Sequence, residues 1–343
     1  MLEIKHTLCP SCSVGCGINV VLNDGDIVGT FPYKRHPINE GKNCLNGRNS
    51  IEAYLNRFDE AEISNSEKAI DEITKELKSA NPSEVTVIAS GNNSIEEIEA
   101  IKAFADSNGF NIGFYADNLK NFDDIASYDD VENSSKVFVI GDLLYKNALL
   151  GRRVVHAKQN GAKIYAVDDA KNVTSAIADE FSTKSVSEFL DDVKSDIDES
   201  SVIVFNKINE SEDLAKIEGI LNDTQCKVLP VFSKSNTKGT LGIIEPKSKE
   251  EMTELLENTK VLLVFNDNIV DEFEFDFAGI SKIFSFSSCP NETTEMSNIV
   301  VPIKTWLEED GSFVNSMGET QTFAKVIDSD ALSEIEVIEK LNG

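Results

Sequence analysis

The pattern of apolar and polar residues divides the chain into a short N-terminal part and a longer body. Residues 1 to about 56 include "GINVVLNDGDIVGTF", in which two short apolar runs flank Asn23, Asp24 and Gly25. A turn of this composition between two apolar runs is a strong signal for a β-hairpin. We therefore predict a small β-rich module, which has too little apolar sequence for a large core of its own.

From about residue 60, continuous apolar runs alternate with amphipathic stretches, which indicates parallel sheets covered by helices on both faces. The apolar runs predict strands at residues 84–89, 111–115, 136–140, 163–167, 201–205, 226–232, 261–265 and 282–286. The amphipathic stretches predict helices at residues 66–80, 95–108, 147–161, 211–222 and 249–258, with Ser66 as the N-cap of the first. We predict an α/β fold with three parts, namely the module (1–56), a first Rossmann-like parallel-sheet lobe (57–175) and a second lobe with a closing segment (176–343).

Charge is unevenly distributed along the chain. The net charge is −28, but residues 1–60 carry 6 Lys or Arg against 7 Asp or Glu, so the acidity lies in the body. An acidic body disfavours nucleic acid and anionic membranes as partners and leaves the near-neutral end as the more natural docking face. No apolar run approaches the ~18 residues of a membrane span, and the N-terminus lacks the apolar core of a signal peptide. We therefore expect a cytoplasmic protein.

Four cysteines at one end of the chain are candidate metal ligands. Cys9, Cys12, Cys16 and Cys44 have the spacing C-x2-C-x3-C-x27-C. A reducing cytoplasm argues against disulfides, and four thiolates suit one [4Fe–4S] cluster. A zinc site is the alternative, although zinc ligands usually come as two separated C-x2-C pairs.

Four separated segments resemble the molybdenum/tungsten bis-pyranopterin oxidoreductases, and formate dehydrogenase α subunits are nearest in sequence. The segments are residues 9–49, with the four cysteines, then 136–169, 235–242 and 291–321. The resemblance implies a [4Fe–4S] cluster on those cysteines and partners that are other redox subunits of a complex. It also implies that a pterin, if one is bound, lies against Gly91, Asn92, Gly141, Asp168, Asn236 and Gly239.

The chain departs from that family where the metal and its neighbour would lie. Catalytic members carry a metal-ligating Cys, selenocysteine or Ser, often beside a His, in the stretch that corresponds to residues 115–135. Here the stretch has neither Cys nor His, which leaves Ser127 and Ser134 as candidate ligands. Family members usually have Lys two residues after the fourth cysteine, and this chain has Asn46.

The phosphate-binding groups of the family are also reduced. Many relatives have Asp-Pro-Arg where this chain has Asp168, Asp169 and Ala170, and no arginine follows Arg153. Lys234 and Lys238 are the obvious substitutes. We also expect the family's C-terminal pterin-capping domain to be absent. In formylmethanofuran dehydrogenase that domain is a separate polypeptide, and the large iron–sulfur subunit of complex I keeps the cluster and fold without the pterin.

Three functions stay open at this point. The first is a [4Fe–4S] electron-transfer subunit of a formate dehydrogenase-like complex, with a degenerate pterin site and no catalytic residues of its own. The second is a catalytic subunit that binds a Mo or W pterin with a separate capping-domain partner and acts on formate or another one-carbon substrate. The third is a non-redox interaction protein in which the cysteines hold a structural metal.

Overall fold

The computed structural model describes residues 1–115, 120–122, 124–208 and 211–343. The strands of these residues are β1 (Leu2–Leu8), β2 (Gly17–Asn23), β3 (Asp26–Pro32), β4 (Val85–Ile88), β5 (Asn111–Gly113), β6 (Lys136–Ile140), β7 (Lys163–Val167), β8 (Glu180–Ser182), β9 (Ser201–Phe205), β10 (Lys227–Pro230), β11 (Val261–Phe265), β12 (Lys282–Ser287), β13 (Ile299–Pro302), β14 (Gly311–Val314) and β15 (Thr320–Phe323). The helices are α1 (Leu45–Asn49), α2 (Glu52–Leu55), α3 (Glu60–Ile63), α4 (Ser66–Ser79), α5 (Ile95–Asn108), α6 (Tyr128–Asn133), α7 (Leu143–Lys146), α8 (Ala148–Gln159), α9 (Val186–Val193), α10 (Ser211–Thr224), α11 (Thr237–Leu241), α12 (Lys249–Glu257), α13 (Ile269–Glu272), α14 (Glu292–Met296) and α15 (Glu334–Asn342). The predicted fold class is confirmed, because an antiparallel N-terminal module precedes lobes built on parallel sheets.

The N-terminal module is a three-stranded antiparallel sheet in the order β1–β2–β3. The predicted hairpin joins β2 to β3, and Asp24 and Gly25 both have positive φ at its turn. Strand β1 was not predicted from the sequence, because Leu2 and Ile4 are exposed on its outer face and give no buried pattern. Its pairing with β2 extends from Leu2 to Leu8, so the strand is fixed by its neighbour and not by burial.

Two five-stranded sheets form the body, with strand orders β10–β9–β6–β7–β8 and β13–β12–β11–β4–β5. Every pairing within them is parallel, as the continuous apolar runs predicted. The first sheet uses consecutive strands, whereas the second joins β4 and β5 to strands that follow residue 260. The predicted division near residue 175 therefore falls inside the first sheet, between β7 and β8, because pairing between distant strands determines which strands share a sheet.

Helix boundaries follow the predictions, with one exception at a cap. Asn65, not Ser66, precedes the first helical residue of α4, so the predicted N-cap was wrong by one position. The hydroxyl of Ser66 is buried without a hydrogen-bond partner. Within the described residues, no helix has both the length and the apolar character needed to cross a membrane.

Two buried carboxyl groups, Glu97 and Glu334, meet the partly buried Glu309 where the closing segment packs on the second sheet. Glu97 of α5 and Glu309 share a hydrogen bond, which requires a proton between the two carboxyl groups. Glu334, at the start of α15, accepts two hydrogen bonds from the Asn93 amide, at 2.9 and 2.7 Å. Burial and the neighbouring carboxyl groups raise the pKa of all three, and that of Glu309 rises to about 10. Glu96 and Glu308 also face this cluster, and Lys304 partly opposes their effect.

These raised pKa values make stability depend on pH. A carboxyl group with a raised folded-state pKa stabilises the native state while it is protonated, and that contribution is lost as the pH rises through the folded-state value. We expect the melting temperature to fall between about pH 6 and pH 9, toward the pKa of about 10 of Glu309. Glu309→Gln keeps a neutral hydrogen-bonding group at both pH values. We therefore expect the melting temperature of the variant minus that of the wild type to be higher at pH 9 than at pH 6, by roughly 2 °C or more. Differential scanning calorimetry at both pH values measures the difference.

Glu250→Gln is the matched control, since Glu250 is an exposed residue of α12. It should shift both melting temperatures equally. Equal shifts in Glu309→Gln as well would show that the carboxyl cluster carries no excess proton.

Candidate metal centre and adjoining cleft

The four N-terminal cysteines line one small cavity. Cys9 and Cys16 are buried, and Cys12 and Cys44 are partly buried. The cavity is also lined by Ser11, Val14, Asn43, Asn147, Ala148 and Leu149. The structure thus brings together the four residues that the cysteine spacing singled out. It does not arrange them around a single metal ion, since no three His, Cys, Asp or Glu side chains of the described part of the chain have such an arrangement.

Loop 9–16 is closed by a backbone hydrogen bond and is held by a tyrosine side chain of the body. The amide of Cys9 donates to the carbonyl of Cys16 at 2.8 Å, which closes the loop on itself. Tyr128 donates its hydroxyl hydrogen to the Val14 carbonyl at 2.8 Å. Gly15 has a φ of +75°, and a Cβ there would lie 2.0 Å from the Oε1 atom of Gln321. Glycine is favoured at this position because other residues rarely adopt its backbone angle, and a Cβ would also lie 2.9 Å from the Cβ atom of Asn315.

Ser13 fastens the loop to two distant segments. Its hydroxyl lies 2.6 Å from that of Ser316 and accepts a hydrogen bond from the Phe232 amide at 2.7 Å. The Ser13 amide donates to the Phe232 carbonyl, and the Ser13 carbonyl accepts from the Ser316 amide at 2.7 Å. This fully buried serine therefore ties the cysteine loop to the end of β10 and to the β14–β15 hairpin.

The electrostatics of the cavity favour a metal centre with positive charge. Burial raises the pKa of Cys9 and Cys16 and raises that of Cys12 to about 12, and the nearby cysteines raise all three further. Neighbouring thiolates in a buried site repel one another, so ionised sulfurs need compensating cations. Iron in a cluster supplies that charge.

Hydrogen-bond donors around the cavity also fit a cluster. The Gly47 amide donates to the Sγ atom of Cys44 at 3.3 Å. The Nδ2 atom of Asn43, which lines the cavity, is buried without a hydrogen-bond partner. Amide donors directed at cluster sulfur atoms are a common means of tuning the potential. The donor set and these amides therefore suit a [4Fe–4S] cluster.

A larger cleft of about 680 Å³ adjoins the cysteine cavity. Ser11, Cys12 and Asn147 line both spaces. The cleft lies at the carboxyl ends of strands from both sheets, as its lining by Phe114 and Phe205 shows. In open α/β sheets this end is where ligands bind. Asn46 also lines the cleft, so the residue at the family's lysine position does lie beside the cysteine site.

Three of the six predicted pterin-groove residues form one packed corner. Asn236 is fully buried, donates from its Nδ2 atom to the Asn93 carbonyl at 2.8 Å and accepts from the Val314 amide at 2.7 Å. Its amide donates to the Gly91 carbonyl at 2.8 Å. A Cβ on Gly91 or Gly239 would lie within 2.4 Å of a side-chain oxygen in α11 or of its N-cap. The hydrogen bonds and close contacts of these residues are therefore all made to other parts of the same chain.

The other three predicted groove residues lie around the ends of β4, β6 and β7. Asn92 donates to the Asn266 carbonyl at 3.1 Å. Gly141 has a φ of +97°. Burial alone would raise the pKa of Asp168, but Lys207 and the Asp169 amide lower it below its ordinary value. None of the six predicted residues is among the described residues that line the 680 Å³ cleft, and their contact with a pterin stays a prediction.

Two of the three lysines that line the cleft are paired with carboxylates, whereas Lys146 is exposed and has no ion pair with the described residues. Lys207 binds Asp168 at 3.0 Å and Asp169 at 2.5 Å. Lys234 binds Asp267 at 3.0 Å and Glu272 at 2.5 Å. Burial and the charge of Asp267 raise the pKa of Glu272 to about 7. Lys238, the second predicted substitute for arginine, bonds to Asn121 and lines a different cavity.

The remaining candidate ligands have local structural roles. Ser127 is the N-cap of α6 and accepts from the Asp130 amide at 3.0 Å. Ser134 donates to the Val131 carbonyl at 3.0 Å. Residues 116–119 and 123 of the stretch 115–135 lie outside the described residues. Sequence reasoning did not find Ser13, Asn43 or Asn147, and only their proximity to the cysteines in the sequence or their amide chemistry could have suggested them.

Comparison with known proteins agrees with the cysteine site. Residues 2–56 match the family of the Molybdopterin oxidoreductase Fe4S4 domain. The α subunit of F420-dependent formate dehydrogenase 1 from Methanococcus maripaludis is 29% identical over 209 residues, and that from Methanocaldococcus jannaschii is 27% identical over 206 residues. Each alignment covers 52% of this chain and 30% of the relative. The chain thus has an N-terminal Fe4S4 domain of this type and spans less than a third of the curated relatives it matches.

Solved structures share the fold over more of the chain. Acetylene hydratase from Pelobacter acetylenicus superimposes with a TM-score of 0.67 at 13% identity, over 98% of this chain and 68% of that one. A chain of the formyltransferase/hydrolase complex from Methylorubrum extorquens gives a TM-score of 0.58 at 9% identity, over 80% of this chain and 94% of that one. At these identities the likeness is one of fold alone.

Removal of the Ser13 hydroxyl tests the hold on the cysteine loop. We expect Ser13→Ala to lose about 1–3 kcal/mol of stability, because the Phe232 amide and the Ser316 hydroxyl lose a buried partner. The loosened loop should also release its metal to a chelator several times faster than the wild type. Loss of the visible absorbance of the metal centre under a chelator measures the rate.

Ser285→Ala is the control, since Ser285 is buried and forms a similar hydroxyl pair with Ser297 at 2.5 Å, outside the cysteine cavity. It should lose comparable stability with no change in metal release. Equal release rates in both variants would mean that Ser13 supports the fold but not the metal loop.

Proposed function

We propose that this chain is a [4Fe–4S] electron-transfer subunit of a formate dehydrogenase-like oxidoreductase complex, with a cleft that no longer grips a pterin. Cys9, Cys12, Cys16 and Cys44 would hold the cluster. The observation that carries this proposal is the shared wall between the cysteine cavity and the cleft, in which Cys12 lines both. The relatives described above are formate dehydrogenase subunits, which supports the assignment to a multi-subunit redox complex.

The charges of the cleft support the loss of pterin binding. A pterin dinucleotide carries phosphates, which arginine forks and free lysines bind best. No arginine is among the described residues that line the cleft, and two of its three lysines, Lys207 and Lys234, are each held by two carboxylates. A phosphate at either of these two lysines would have to displace its carboxylates, which leaves Lys146 as the one cation of the described lining without an ion pair.

The cluster, when bound, would supply one-electron transfer, and the chain supplies its environment. The loop pinned by Ser13 keeps the sulfur atoms in place. The Gly47 amide and the free Asn43 amide would stabilise negative charge on the sulfur atoms of a bound cluster and so favour its reduced state. The burial of Cys9 and Cys16 would keep water from their side of the site.

A second candidate is a catalytic subunit that binds a Mo or W pterin with a separate capping-domain protein. It is favoured by the volume of the cleft and by the Oδ1 atom of Asn206, which lines the cleft and is buried without a hydrogen-bond partner. Such an acceptor could receive a hydrogen bond from a heterocyclic amine.

Metal analysis of anaerobically purified protein separates the candidates. We expect about four Fe per chain, no Mo or W, and an EPR signal of a reduced cluster after dithionite treatment. Cys12→Ser should lose most of the iron, whereas Cys289→Ser, which alters a cysteine outside the cavity, should keep it. Mo or W with pterin fluorescence would establish the second candidate, and zinc without iron would refute both.

The residue at the lysine position of the family offers a test of electrostatic tuning. Asn46 is exposed on the cleft wall, where the Ser11 hydroxyl donates to its carbonyl at 3.3 Å. Reduction adds negative charge to the cluster, so Asn46→Lys should raise the midpoint potential by roughly tens of millivolts. Asn46→Gln, which adds no charge, should leave it unchanged. A redox titration followed by EPR measures both, and equal potentials would show that position 46 does not sense the cluster.

A further inference from the structure

The segment around the fourth cysteine has the opposite charge to the rest of the molecule. Residues 27–51 carry four cations, Lys34, Arg35, Lys42 and Arg48, and one carboxylate, Glu40, whereas the whole chain has a net charge of −28. We call these four cations the basic rim. All four side chains are exposed.

The basic rim is free of internal ion pairs. Among the described residues, no ion pair involves any of its four members, although lysines of the body such as Lys136 and Lys163 are paired with carboxylates. The single carboxylate of the segment, Glu40, is bound by Arg152 and Arg153 of α8. The positive charge of the rim is therefore available to a partner.

A buried asparagine fixes the rim against the cluster site. Asn39 is fully buried and exchanges two hydrogen bonds with Gly17, both at 2.9 Å, directly after Cys16. The same amide donates to the Lys42 carbonyl at 2.7 Å, two residues before Cys44. A Cβ on Gly41 would lie 3.2 Å from the Cα atom of Lys34, so the two ends of this loop lie side by side.

An exposed apolar side chain accompanies the cations. Leu45 follows Cys44 directly and is 66% exposed. Arg48 lies three residues further along α1, on the same helix face. The Arg48 carbonyl accepts from the Thr30 hydroxyl at 3.0 Å, which holds α1 against β3. An apolar contact surrounded by charged groups is a common composition of a protein–protein interface.

We propose that the basic rim with Leu45 is the docking surface for an acidic electron-carrier protein that exchanges electrons with the cluster. This rests on the proposed function, because the surface serves a cluster held by Cys16 and Cys44. The partner is identified by charge: a protein with a carboxylate-rich face is attracted to the rim and repelled by the acidic body. The same asymmetry turns the approaching partner toward the cysteine site.

Electron transfer from a small acidic [2Fe–2S] ferredoxin tests the surface. Stopped-flow rates are measured at about 0.01 M and about 0.3 M salt, where screening differs strongly. Attraction to the rim predicts that the wild-type rate falls as salt is added. The triple variant Arg35→Glu, Lys42→Glu and Arg48→Glu should react about tenfold more slowly or worse at low salt.

The matched control reverses three exposed lysines of α4, Lys68→Glu, Lys75→Glu and Lys78→Glu, which changes the net charge equally. Its rate should stay near that of the wild type. Equal slowing of both triple variants, or a wild-type rate that rises with salt, would overturn the docking surface.

Cluster content separates this proposal from the one it rests on. If wild-type protein has no iron and no EPR signal, the proposed function fails. If iron and the EPR signal are intact in all three proteins but the ferredoxin rates do not differ, only the docking surface fails. A lower oligomeric mass of the rim variant in sedimentation would assign the surface to a second copy of the chain and would also overturn the proposal.

Discussion

The burial of mutually repelling cysteine sulfur atoms is the constraint that organises the cysteine cavity. Cys9, Cys12 and Cys16 sit where desolvation and neighbouring thiols both disfavour ionisation. Such a cavity is a poor place for free thiolates and a good place for thiolates bound to iron, because the metal supplies the missing positive charge. The module around it has a three-stranded sheet and little core, so metal binding and folding are expected to be coupled there.

The body holds the module by shared apolar packing and by specific polar contacts. Ser13 is bonded to Phe232 and Ser316, and Tyr128 is bonded to Val14. Nearer to the solvent, Arg152 and Arg153 of α8 bind Glu40. These contacts reach the cysteine loop and the loop before Cys44 independently, so the positions of the ligands depend on the lobes as much as on the module itself. Asn147 lines both the cysteine cavity and the cleft, so the cleft begins directly beside these contacts.

Much of the fold was predictable because buried parallel strands have a simple signal. Runs such as "VFVI" (137–140) and "VLLVF" (261–265) contain no polar residue, and β6 and β11 include those residues. Which sheet a strand joins was not predictable, since β4 pairs with β11 across more than 170 residues. β1 escaped prediction because its outer apolar residues face solvent.

The residues of the candidate site likewise divide into those that the sequence predicted well and those that it did not. The cysteine spacing was informative because four ligands of one cluster have few alternative roles, and the four residues do line one cavity. Glycines and amides are less specific. Asn236 and Gly91 serve a packed corner, and the carboxylates that hold Lys207 and Lys234 lie far from them in sequence or in another element. Contacts of this kind depend on three-dimensional proximity that no local pattern encodes.

In the sequence, all strands of the first sheet lie between β5 and β11 of the second sheet. This arrangement sets an order in which the two sheets can form during synthesis. Strands β6 to β10 are consecutive, so that sheet can form as soon as residue 230 has left the ribosome. Strand β4 cannot pair with β11 until β11 has been made, and Ser13 cannot form its hydrogen bond to Ser316 until that residue has been made. Long-range pairings of this kind form slowly. The cysteine loop is made before the strands of both sheets and is among the last segments to be enclosed, which leaves its thiols open to iron delivery, and equally to oxidation, while those strands are being made.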